Sequence, residues 1–350
     1  MGMSERKNLV IQIMRGLAII IVLIRHAIAQ VNGDAVLDAA EEIIICFHMP
    51  VFFVIAGYLF QKKLDSYLQE GQAKFLADKV KHLLFPYIFW TVMLWTGVQA
   101  ACMISPAVLA KMSDIGFAPM SVGNLLYGLL TYQVYYTEHL WFLYVLFVMF
   151  VINIFAADKG SSLSVLLVWG AVGMLTLFVT FPHIIERVML WGIFFAFGRF
   201  CQANKKTEKM IGGGGYRVCI CLMFIICIVL RIIGLSSEMA GKPFAMLMLF
   251  NKYLIGFLGV MIIYYIADML NKTRTNRLIR YIGDYSFDIY LMHNPYCVAL
   301  SAIVLNKMMG ISAYISVISA TAIGIALPMA ASKFIIRKIK PLAVVMIGKA

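Results

Sequence analysis

The sequence is dominated by apolar runs that are long enough to cross a lipid bilayer. Of its 350 residues, 62% are hydrophobic and only 13% are charged, which is far less charge than a soluble chain of this length carries. A membrane-spanning helix needs about 20 apolar residues, and several runs reach that length. Because a membrane barrel would alternate apolar and polar residues instead, the runs predict an all-α polytopic membrane protein.

The distribution of basic residues predicts the orientation of about ten transmembrane helices. With a cytoplasmic N-terminus, 21 of the 30 Lys and Arg residues fall in inner segments and 4 in outer segments. Cytoplasmic loops of membrane proteins carry the excess of positive charge, so both termini are predicted to be cytoplasmic. Topology then explains much of the net charge of +13, and no nucleic-acid partner is expected. The predicted helices cover residues 9–29, 41–60, 83–104, 139–156, 161–181, 188–203, 218–235, 244–268, 283–305 and 311–334.

The chain is predicted to form one transmembrane domain over residues 1–350, with three notable connections. Residues 61–82 are basic and helix-like, as expected for a cytoplasmic loop, and residues 105–138 form a long outer loop. Residues 204–217 form a cytoplasmic linker that contains four consecutive glycines. The seven cysteines lie mostly in apolar runs and lack paired zinc-ligand spacing, so no metal is expected.

The first predicted helix carries ionisable residues that a bilayer makes costly. Arg15 and His26 are separated by three nearly complete helical turns, so both side chains leave the same face, about 16 Å apart along the axis. The charge distribution places Arg15 nearer the cytoplasm and His26 nearer the outside. Arg25 points about 100° away from His26 and is expected to extend to the outer surface.

Two other predicted helices contain candidate site residues. His48 precedes Pro50, and a proline bends a helix and frees a backbone carbonyl, which can open a cavity beside the histidine. A packed, hydrogen-bonded histidine is an equally good interpretation of His48. The ninth predicted helix places Asp288, Tyr290 and His293 near the middle of the membrane. Intramembrane polar groups of this kind mark a site or a path.

A further pair of candidates lies where the fourth predicted helix begins. Glu138 precedes His139, and Trp141 follows shortly after. Trp141 is read more readily as an interfacial anchor than as a site residue, because tryptophans are enriched at the membrane–water boundary.

Four segments together resemble the integral-membrane acyltransferase family 3, bacterial enzymes that acylate surface glycans, and the sugar O-acetylases in particular. The resemblance extends in order over almost the whole chain and includes the ten-helix topology. The four segments are Arg15-x10-His26, FHMPVFFVIAGYLF at residues 47–60, HLWFLYVLF at residues 139–147 and YIGDYSFDIYLMHNP at residues 281–295.

The resemblance implies an O-acyltransferase of the bacterial inner membrane. Its donor would be cytoplasmic acyl-CoA, most often acetyl-CoA, and its acceptor a hydroxyl of a cell-surface or periplasm-facing glycan or lipid-linked sugar. His26 would be the general base or a transient acyl carrier, and Arg15 would act with it. The cations expected to bind the phosphates of the donor are Arg15, Lys79, Lys81 and His82. The residues expected to line the substrate pocket are His48, Glu138, Trp141, Asp288, Tyr290 and His293.

The sequence departs from the family pattern in places and leaves other functions open. Gln12 stands where the family often has an acidic residue, and Ala56 replaces a serine. Lys79 and His82 stand where the family often has two arginines, and a lysine lacks the forked donor geometry that grips a phosphate. A transporter or flippase for a polar solute or lipid-linked sugar is the main alternative. A non-catalytic partner in a glycan-assembly complex is a third.

Overall fold

The computed structural model describes residues 3–31, 33–106, 122–131, 137–156, 163–204, 214–237, 239, 241–273 and 276–349. Within these ranges the secondary structure is helical, without a strand. The α-helices are α1 (Met3–Ile28), α2 (Ala35–Lys62), α3 (Leu64–Glu70), α4 (Gln72–Lys79), α5 (Phe85–Ile104), α6 (Val122–Thr131), α7 (Trp141–Phe155), α8 (Leu163–Leu175), α9 (His183–Ala203), α10 (Gly214–Leu235), α11 (Lys242–Leu270), α12 (Asn276–Asp284), α13 (Ser286–Met292), α14 (Val298–Ile303), α15 (Ala313–Phe334) and α16 (Lys340–Ile347).

Short π-helical and 3₁₀ turns connect several of these helices. The π-helical turns are Val80–Leu84, His293–Cys297 and Val304–Met308. The 3₁₀ turns are Glu138–Leu140 and Ile336–Lys338. A π-helical turn inside a longer helix is often found at a functional site.

Seven helices in the described part of the chain are long and apolar enough to cross a membrane. The all-α, polytopic class is therefore confirmed. Each of the ten predicted ranges overlaps a helix, but α7 and α8 are shorter apolar helices, and α9 is not among the seven. The count of about ten and the cytoplasmic placement of both termini stay predictions. The seven candidate spans are Asn8–Ile28, Ala35–Lys62, Gln72–Ile104, Gly215–Leu235, Lys242–Leu270, Ser286–Met308 and Ala313–Lys338.

The three predicted connections differ in how much of them is described. Residues 61–82 are almost entirely helical, because α2, α3 and α4 follow one another closely. Within the predicted outer loop 105–138, residues 122–131 form α6, while residues 107–121 and 132–136 lie outside the described residues. Most of the predicted linker 204–217 is also outside them, and α10 begins at Gly214.

The chain divides into two compact units. The first comprises Met1–Ser66, Ala157–Phe181 and Met189–Ala330. The second comprises Tyr67–Ala156, Pro182–Val188 and Ala331–Ala350. The prediction of one domain over residues 1–350 is not tested by this division.

Helix α1 is the packing centre of the first unit. It contacts α2, α11, α12, α13 and α14. Its buried residues recur every three or four positions, which is the spacing that puts them on a continuous helical face. These residues are Val10, Ile13, Met14, Ala18, Ile19, Val22, Leu23, Ala27 and Ile28.

The crossing of α1 and α12 is very close, and two glycines make it possible. A Cβ atom on Gly16 would collide with the main-chain oxygen of Ile279. A Cβ atom on Gly283 would collide with the main-chain oxygen of Gln12. Small residues let helix backbones approach closely in membranes, and the approach here fixes the level of one helix against the other.

The second unit is built around α4, α5, α7 and α16. The indole nitrogen of Trp90 on α5 donates to the main-chain oxygen of Met346 on α16, at 2.8 Å. Tyr87 on α5 donates its hydroxyl hydrogen to the main-chain oxygen of Leu129 on α6, also at 2.8 Å. These bonds satisfy polar groups that burial in an apolar environment would otherwise penalise.

Candidate active site

Two histidines from distant parts of the sequence meet in the first unit. The ring centres of His26 and His293 are 5.0 Å apart, and the ring planes are inclined by 56°. His26 lies in the last turn of α1 and is partly buried, whereas His293 is fully buried. The structure thus brings the predicted catalytic histidine against a residue that was predicted only to line the pocket.

The sequence that follows α13 explains how His293 is held. Pro295 lacks an N–H, and Asn294 has extended φ and ψ values of −123° and 142°, so the α-helix ends here. The last carbonyls of a helix need donors from elsewhere. The Nδ1 atom of His293 lies 2.7 Å from the main-chain oxygen of Tyr290 and 3.2 Å from that of Ile289. Since carbonyl oxygens only accept, Nδ1 donates, and the neutral ring carries its lone pair on Nε2.

Tyr290 and Asp288 lie on the same short helix as this histidine. The ring of Tyr290 is 5.9 Å from the ring of His293, centre to centre, so it forms part of the same cluster. Asp288 is fully buried in the first turn of α13. A carboxylate in that position is stabilised by the N-terminal end of the helix dipole, which gives Asp288 a structural reason to be there.

Arg15 is brought close to an acidic residue by the crossing of α1 and α12. Asp284, at the end of α12, is the charged group that interacts electrostatically with Arg15. Each residue directly neighbours one of the two contact glycines, Gly16 and Gly283, so the close helix approach places them at the same level. Arg15 is partly buried, and a nearby carboxylate compensates the cost of its charge.

Arg25 does not have the free surface position that the sequence suggested. Its Nη2 atom lies 3.1 Å from the Oε1 atom of Glu41 on α2, and its Nη1 atom lies 3.5 Å from Nδ1 of His26. The side chains of Arg25 and Glu41 are only 28% and 20% exposed. Because Glu41 opens the second predicted helix, at the same end of the membrane as Arg25, their pairing was visible in the sequence as two opposite charges at one level.

His48 is hydrogen-bonded on its own helix. Its Nδ1 atom donates to the main-chain oxygen of Ile44, one turn earlier on α2, at 2.7 Å. Helix α2 continues through Pro50 without a break. The charged residues that act on His48 electrostatically are Arg25 and Lys252. This bond supports the interpretation of His48 as a packed histidine.

The three cations predicted from residues 79–82 have different surroundings in the second unit. The ammonium nitrogen of Lys79 lies over the rings of Phe150, Phe75 and Tyr67, at 4.6, 5.0 and 5.5 Å from their centres. Lys81 is partly buried in the π-helical turn. His82 is exposed, and its Nδ1 atom donates to the main-chain oxygen of Asp78 at 2.6 Å. Lys79 is therefore enclosed by aromatic rings, while the ring of His82 faces solvent.

The start of α7 contains the last two predicted pocket residues. Glu138 begins the 3₁₀ turn before α7, and its side chain lies outside the described part of the structure. Trp141 is almost fully buried, and the guanidinium carbon of Arg187 lies 4.5 Å from the centre of its ring. This cation–π contact is a partner for Trp141 that the sequence does not indicate, since Arg187 is one of the four cations that fall in outer segments of the predicted topology.

Other cations inside the apolar segments also have structural partners. Arg199 donates to the side-chain oxygen of Gln61 at 3.0 Å. Arg231 lies 3.8 Å from a carboxylate oxygen of Glu42. Lys252 lies 5.5 Å from the ring centre of Trp191. Such contacts are what intramembrane charges need in order to be tolerated.

The site therefore consists of two imidazoles in contact, His26 and His293, beside Arg25, which is held by Glu41. Neutral imidazoles accept and donate protons near physiological pH, which suits general acid–base or nucleophilic catalysis. In the described residues, no group of three or more His, Cys, Asp or Glu side chains is arranged to hold a metal ion. Together the fold and the site define a multi-pass membrane protein with two contacting imidazoles among its helices.

Comparison with known families identifies that class more closely. A family profile described as an acyltransferase domain matches residues 8–333, which is nearly the whole chain. The chain therefore belongs to the integral-membrane acyltransferase family 3. The resemblance drawn from its four sequence segments is confirmed.

Two curated relatives match part of the chain. The nodulation protein NolL of Sinorhizobium fredii is 28% identical over 115 residues, which cover 32% of this chain and 31% of the relative. The nodulation protein NolL of Mesorhizobium japonicum is 24% identical over 153 residues, which cover 43% of this chain and 36% of the relative. The matches thus span about a third of the length of these relatives. No solved structure matches the chain.

Proposed function

We propose that this protein is an O-acyltransferase that uses the paired imidazoles of His26 and His293 as its acid–base centre. The observation that carries the proposal is the 5.0 Å distance between the two rings, in a chain that belongs to an acyltransferase family. The donor is acyl-CoA, with acetyl-CoA expected. The acceptor is a hydroxyl group of a cell-surface or periplasm-facing glycan.

The proposed reaction moves one acyl group from sulfur to oxygen. The acceptor hydroxyl loses its proton to an imidazole nitrogen while its oxygen attacks the thioester carbonyl carbon. The carbon–sulfur bond then breaks, and the CoA thiolate takes up the proton from the imidazolium. A covalent acyl-imidazole at His26, as predicted from the sequence, is the alternative route to the same products.

The donor phosphates are proposed to bind to cations on the cytoplasmic side. Arg15, Lys79, Lys81 and His82 are the candidates. Of these, Lys79 is expected to contribute least, because aromatic rings surround its ammonium group. The separation of about 16 Å between Arg15 and His26 along α1 supports a donor whose phosphates and thioester lie at different depths.

The acceptor is proposed to approach from the opposite side of a bacterial inner membrane. The proposed topology has about ten transmembrane helices with both termini in the cytoplasm. The candidate pocket residues remain those proposed from the sequence: His48, Glu138, Trp141, Asp288, Tyr290 and His293. Two reporter fusions test the orientation, because one placed after Gly213 should be cytoplasmic and one after Gly241 extracytoplasmic. The reverse result would remove the basis for a cytoplasmic donor.

The test of the proposed function uses the whole protein in lipid vesicles with acyl-labelled acetyl-CoA and a surface-glycan acceptor. Wild-type protein should transfer the label, and mass spectrometry should detect an acylated sugar. His26→Ala and His293→Ala should each lower the rate by about 10²- to 10⁴-fold, the usual contribution of acid–base catalysis. His183→Ala, at an exposed position that begins α9, is the matched control and should be as active as wild type.

The outcomes also separate the alternatives. Undiminished transfer by folded His26→Ala and His293→Ala proteins would exclude the imidazole centre. Movement of a polar solute or lipid-linked sugar across vesicles without any acyl-CoA would favour a transporter or flippase. Loss of glycan acylation in cells, without activity of the purified protein, would favour a non-catalytic partner in a glycan-assembly complex.

A further inference from the structure

Arg25 contacts the predicted catalytic histidine and is itself held by a carboxylate. One of its terminal nitrogens lies 3.5 Å from Nδ1 of His26, and the other lies 3.1 Å from Oε1 of Glu41. Arg25 belongs to α1 and Glu41 to α2, so the ion pair joins two helices beside the imidazole. Both side chains are largely shielded from solvent, which strengthens their interaction.

This contact favours one of the two nitrogens of His26 as the carrier of the ring proton. A guanidinium group has only N–H donors and does not lose its proton in proteins. The Nδ1 atom that faces it must therefore accept the hydrogen bond with its lone pair. In a neutral imidazole the other nitrogen is then protonated, so His26 presents Nε2–H.

The neighbouring histidine is held in the opposite tautomer. Nδ1 of His293 donates to the main-chain oxygens of Tyr290 and Ile289, which leaves the lone pair of the neutral ring on Nε2. Two rings 5.0 Å apart therefore offer complementary groups, a donor on His26 and a base on His293. Each tautomer is fixed by a partner outside the couple, which is how proteins set the role of a histidine.

We propose that Arg25, held by Glu41, is a positioning residue that keeps His26 in its Nε2–H tautomer, so that His293 is the general base and His26 the hydrogen-bond donor to the reacting thioester. This inference rests on the proposed acyl transfer and assigns a role to each ring. It differs from the sequence-based prediction, in which His26 was the base or the acyl carrier.

The step that follows conserves every proton. The acceptor hydroxyl gives its proton to Nε2 of His293 while its oxygen bonds to the carbonyl carbon. The carbonyl oxygen becomes negatively charged and accepts a hydrogen bond from Nε2–H of His26, as in an oxyanion hole. The oxyanion then re-forms the carbonyl double bond as the carbon–sulfur bond breaks. The imidazolium of His293 gives its proton to the leaving CoA thiolate.

The tautomers can be measured directly without any substrate. The experiment is NMR spectroscopy of the full-length protein containing ¹⁵N-labelled histidine, with the His26 and His293 signals assigned by their loss in His26→Asn and His293→Asn. Wild-type protein at neutral pH should show the proton on Nε2 of His26 and on Nδ1 of His293. A proton on Nδ1 of His26 would overturn the proposal with no further variant needed.

A charge swap separates tautomer control from simple helix pairing. Arg25→Glu combined with Glu41→Arg keeps an ion pair between α1 and α2 but places a carboxylate beside Nδ1 of His26. A carboxylate accepts hydrogen bonds, so the ring should change to Nδ1–H. Activity should fall by about 10²- to 10³-fold, the usual cost of losing an oxyanion donor, with little change in KM for acyl-CoA. Wild-type tautomer and turnover in the swap would mean that the ion pair is merely structural.

The adjacent glutamate provides a matched control. Glu42 pairs with Arg231 of α10 at 3.8 Å, in a second ion pair that starts from the next residue of α2. Arg231→Glu with Glu42→Arg should leave the His26 tautomer and the turnover as in wild type. A change in both swaps would indicate a general disturbance of α2 and would contradict a specific role for Arg25.

Failure of the inference is distinguishable from failure of the proposed function. If wild-type protein has the expected tautomers but transfers no acyl group, the positioning role of Arg25 stands and the proposed reaction is wrong. If acyl transfer is observed but His26 is protonated on Nδ1, the reaction stands and the assignment of the two rings is wrong. Arg25→Lys, which keeps a donor and the pairing with Glu41, should retain the wild-type tautomer.

Discussion

The imidazole couple and the basic stretch at residues 79–82 were both predicted as site regions, but they are assembled from different kinds of sequence. The couple joins residues more than 260 positions apart, on α1 and at the end of α13. The basic stretch is one continuous segment at the end of α4 and in the following π-helical turn. In the couple, partners fix each ring, whereas in the stretch only Lys79 is enclosed and His82 is open to solvent.

The difference indicates how the two regions should respond to mutation. A site made by long-range packing depends on the helices that bring its members together, so changes outside the reacting groups are expected to disturb it. A site made from one segment keeps its charges close whatever the packing, so changes there are expected to act singly and mildly. Four predictions compare the regions on that basis.

The largest of these four effects is expected when Arg15 is removed, since Arg15 is the proposed donor-binding cation on α1, the helix that also carries His26. Arg15→Ala should weaken acyl-CoA binding by about 10- to 150-fold, since a hydrogen bond to a charged group contributes about 1.5–3 kcal/mol. Lys81→Gln, in the second region, should cost tenfold or less, because partly exposed charge contacts are weaker. Isothermal titration of the purified protein with acyl-CoA measures both changes.

A double variant controls for the charge that Arg15→Ala leaves behind. Asp284 is exposed, so its carboxylate stays solvated in the variant, and Arg15→Ala removes its electrostatic interaction with the guanidinium group. Arg15→Ala with Asp284→Asn restores the local charge balance, so a donor affinity that stays low in this double variant assigns the loss to the guanidinium group itself. Wild-type affinity and turnover in Arg15→Ala would show that Arg15 does not contact the donor.

The next effect concerns the glycine crossing on which the first region depends. Gly283→Ala or Gly16→Ala should lower stability by about 1–3 kcal/mol, as overpacking does, because each added Cβ meets a main-chain oxygen that cannot move alone. Turnover should fall as well, since α1 carries His26. Thermal unfolding and acyl transfer are the measurements. Gly215→Ala, where a Cβ would have open space, should be neutral or stabilising.

Much of the fold could be predicted because it follows from local sequence. Length and apolar content determined the helical class, and every predicted range overlaps a helix. The identity of His26 and Arg15 as special residues also came from one helix, through their spacing on one face. The family match then agreed with motifs that were each read within a single segment.

The partners of these residues could not be predicted because they depend on packing between distant helices. Nothing in the sequence around Gly16 indicates that Gly283 lies against it, so Asp284 was not recognised as the neighbour of Arg15. His293 was expected in the pocket, but its contact with His26 required the chain to break at Asn294. The pairing of Arg25 with Glu41 is the exception, because the sequence places these opposite charges at the same end of two neighbouring predicted helices.

A smaller effect distinguishes the cations within the second region. Lys79→Met should lower stability by about 0.5–2 kcal/mol through loss of its cation–π contacts, with little change in acyl-CoA affinity. Lys81→Gln should lower the acyl-CoA affinity, by tenfold or less, and leave the stability nearly unchanged. Thermal unfolding and acyl-CoA titration of the two proteins decide between these roles. An equal loss of affinity in both would mean that Lys79 is also a donor contact.

The smallest expected effect is a pH dependence at the start of α2, the helix that supplies Glu41. Asp34 accepts hydrogen bonds from the main-chain N–H groups of Leu37 and Val36 and from the hydroxyl of Tyr314. These bonds, that from Leu37 first, hold the pKa of Asp34 below its usual value, with desolvation opposing them. A lowered folded-state pKa stabilises the protein above the unfolded-state pKa of about 3.9, and this contribution is lost as the pH falls through the folded-state value.

Thermal unfolding between about pH 3 and pH 6 should therefore show a small acid-side loss of stability that Asp34→Asn reduces. Asparagine keeps an oxygen that caps the helix but has no charge to titrate, so it separates the cap from the pH effect. Helix α4, which ends in the basic stretch, has no comparable side-chain cap at its start. The residue before it is Gly71, with a φ of 94°. If wild type and Asp34→Asn lose the same stability at acid pH, other carboxylates cause the loss. Titration of the Asp34 cap would then not distinguish the two regions.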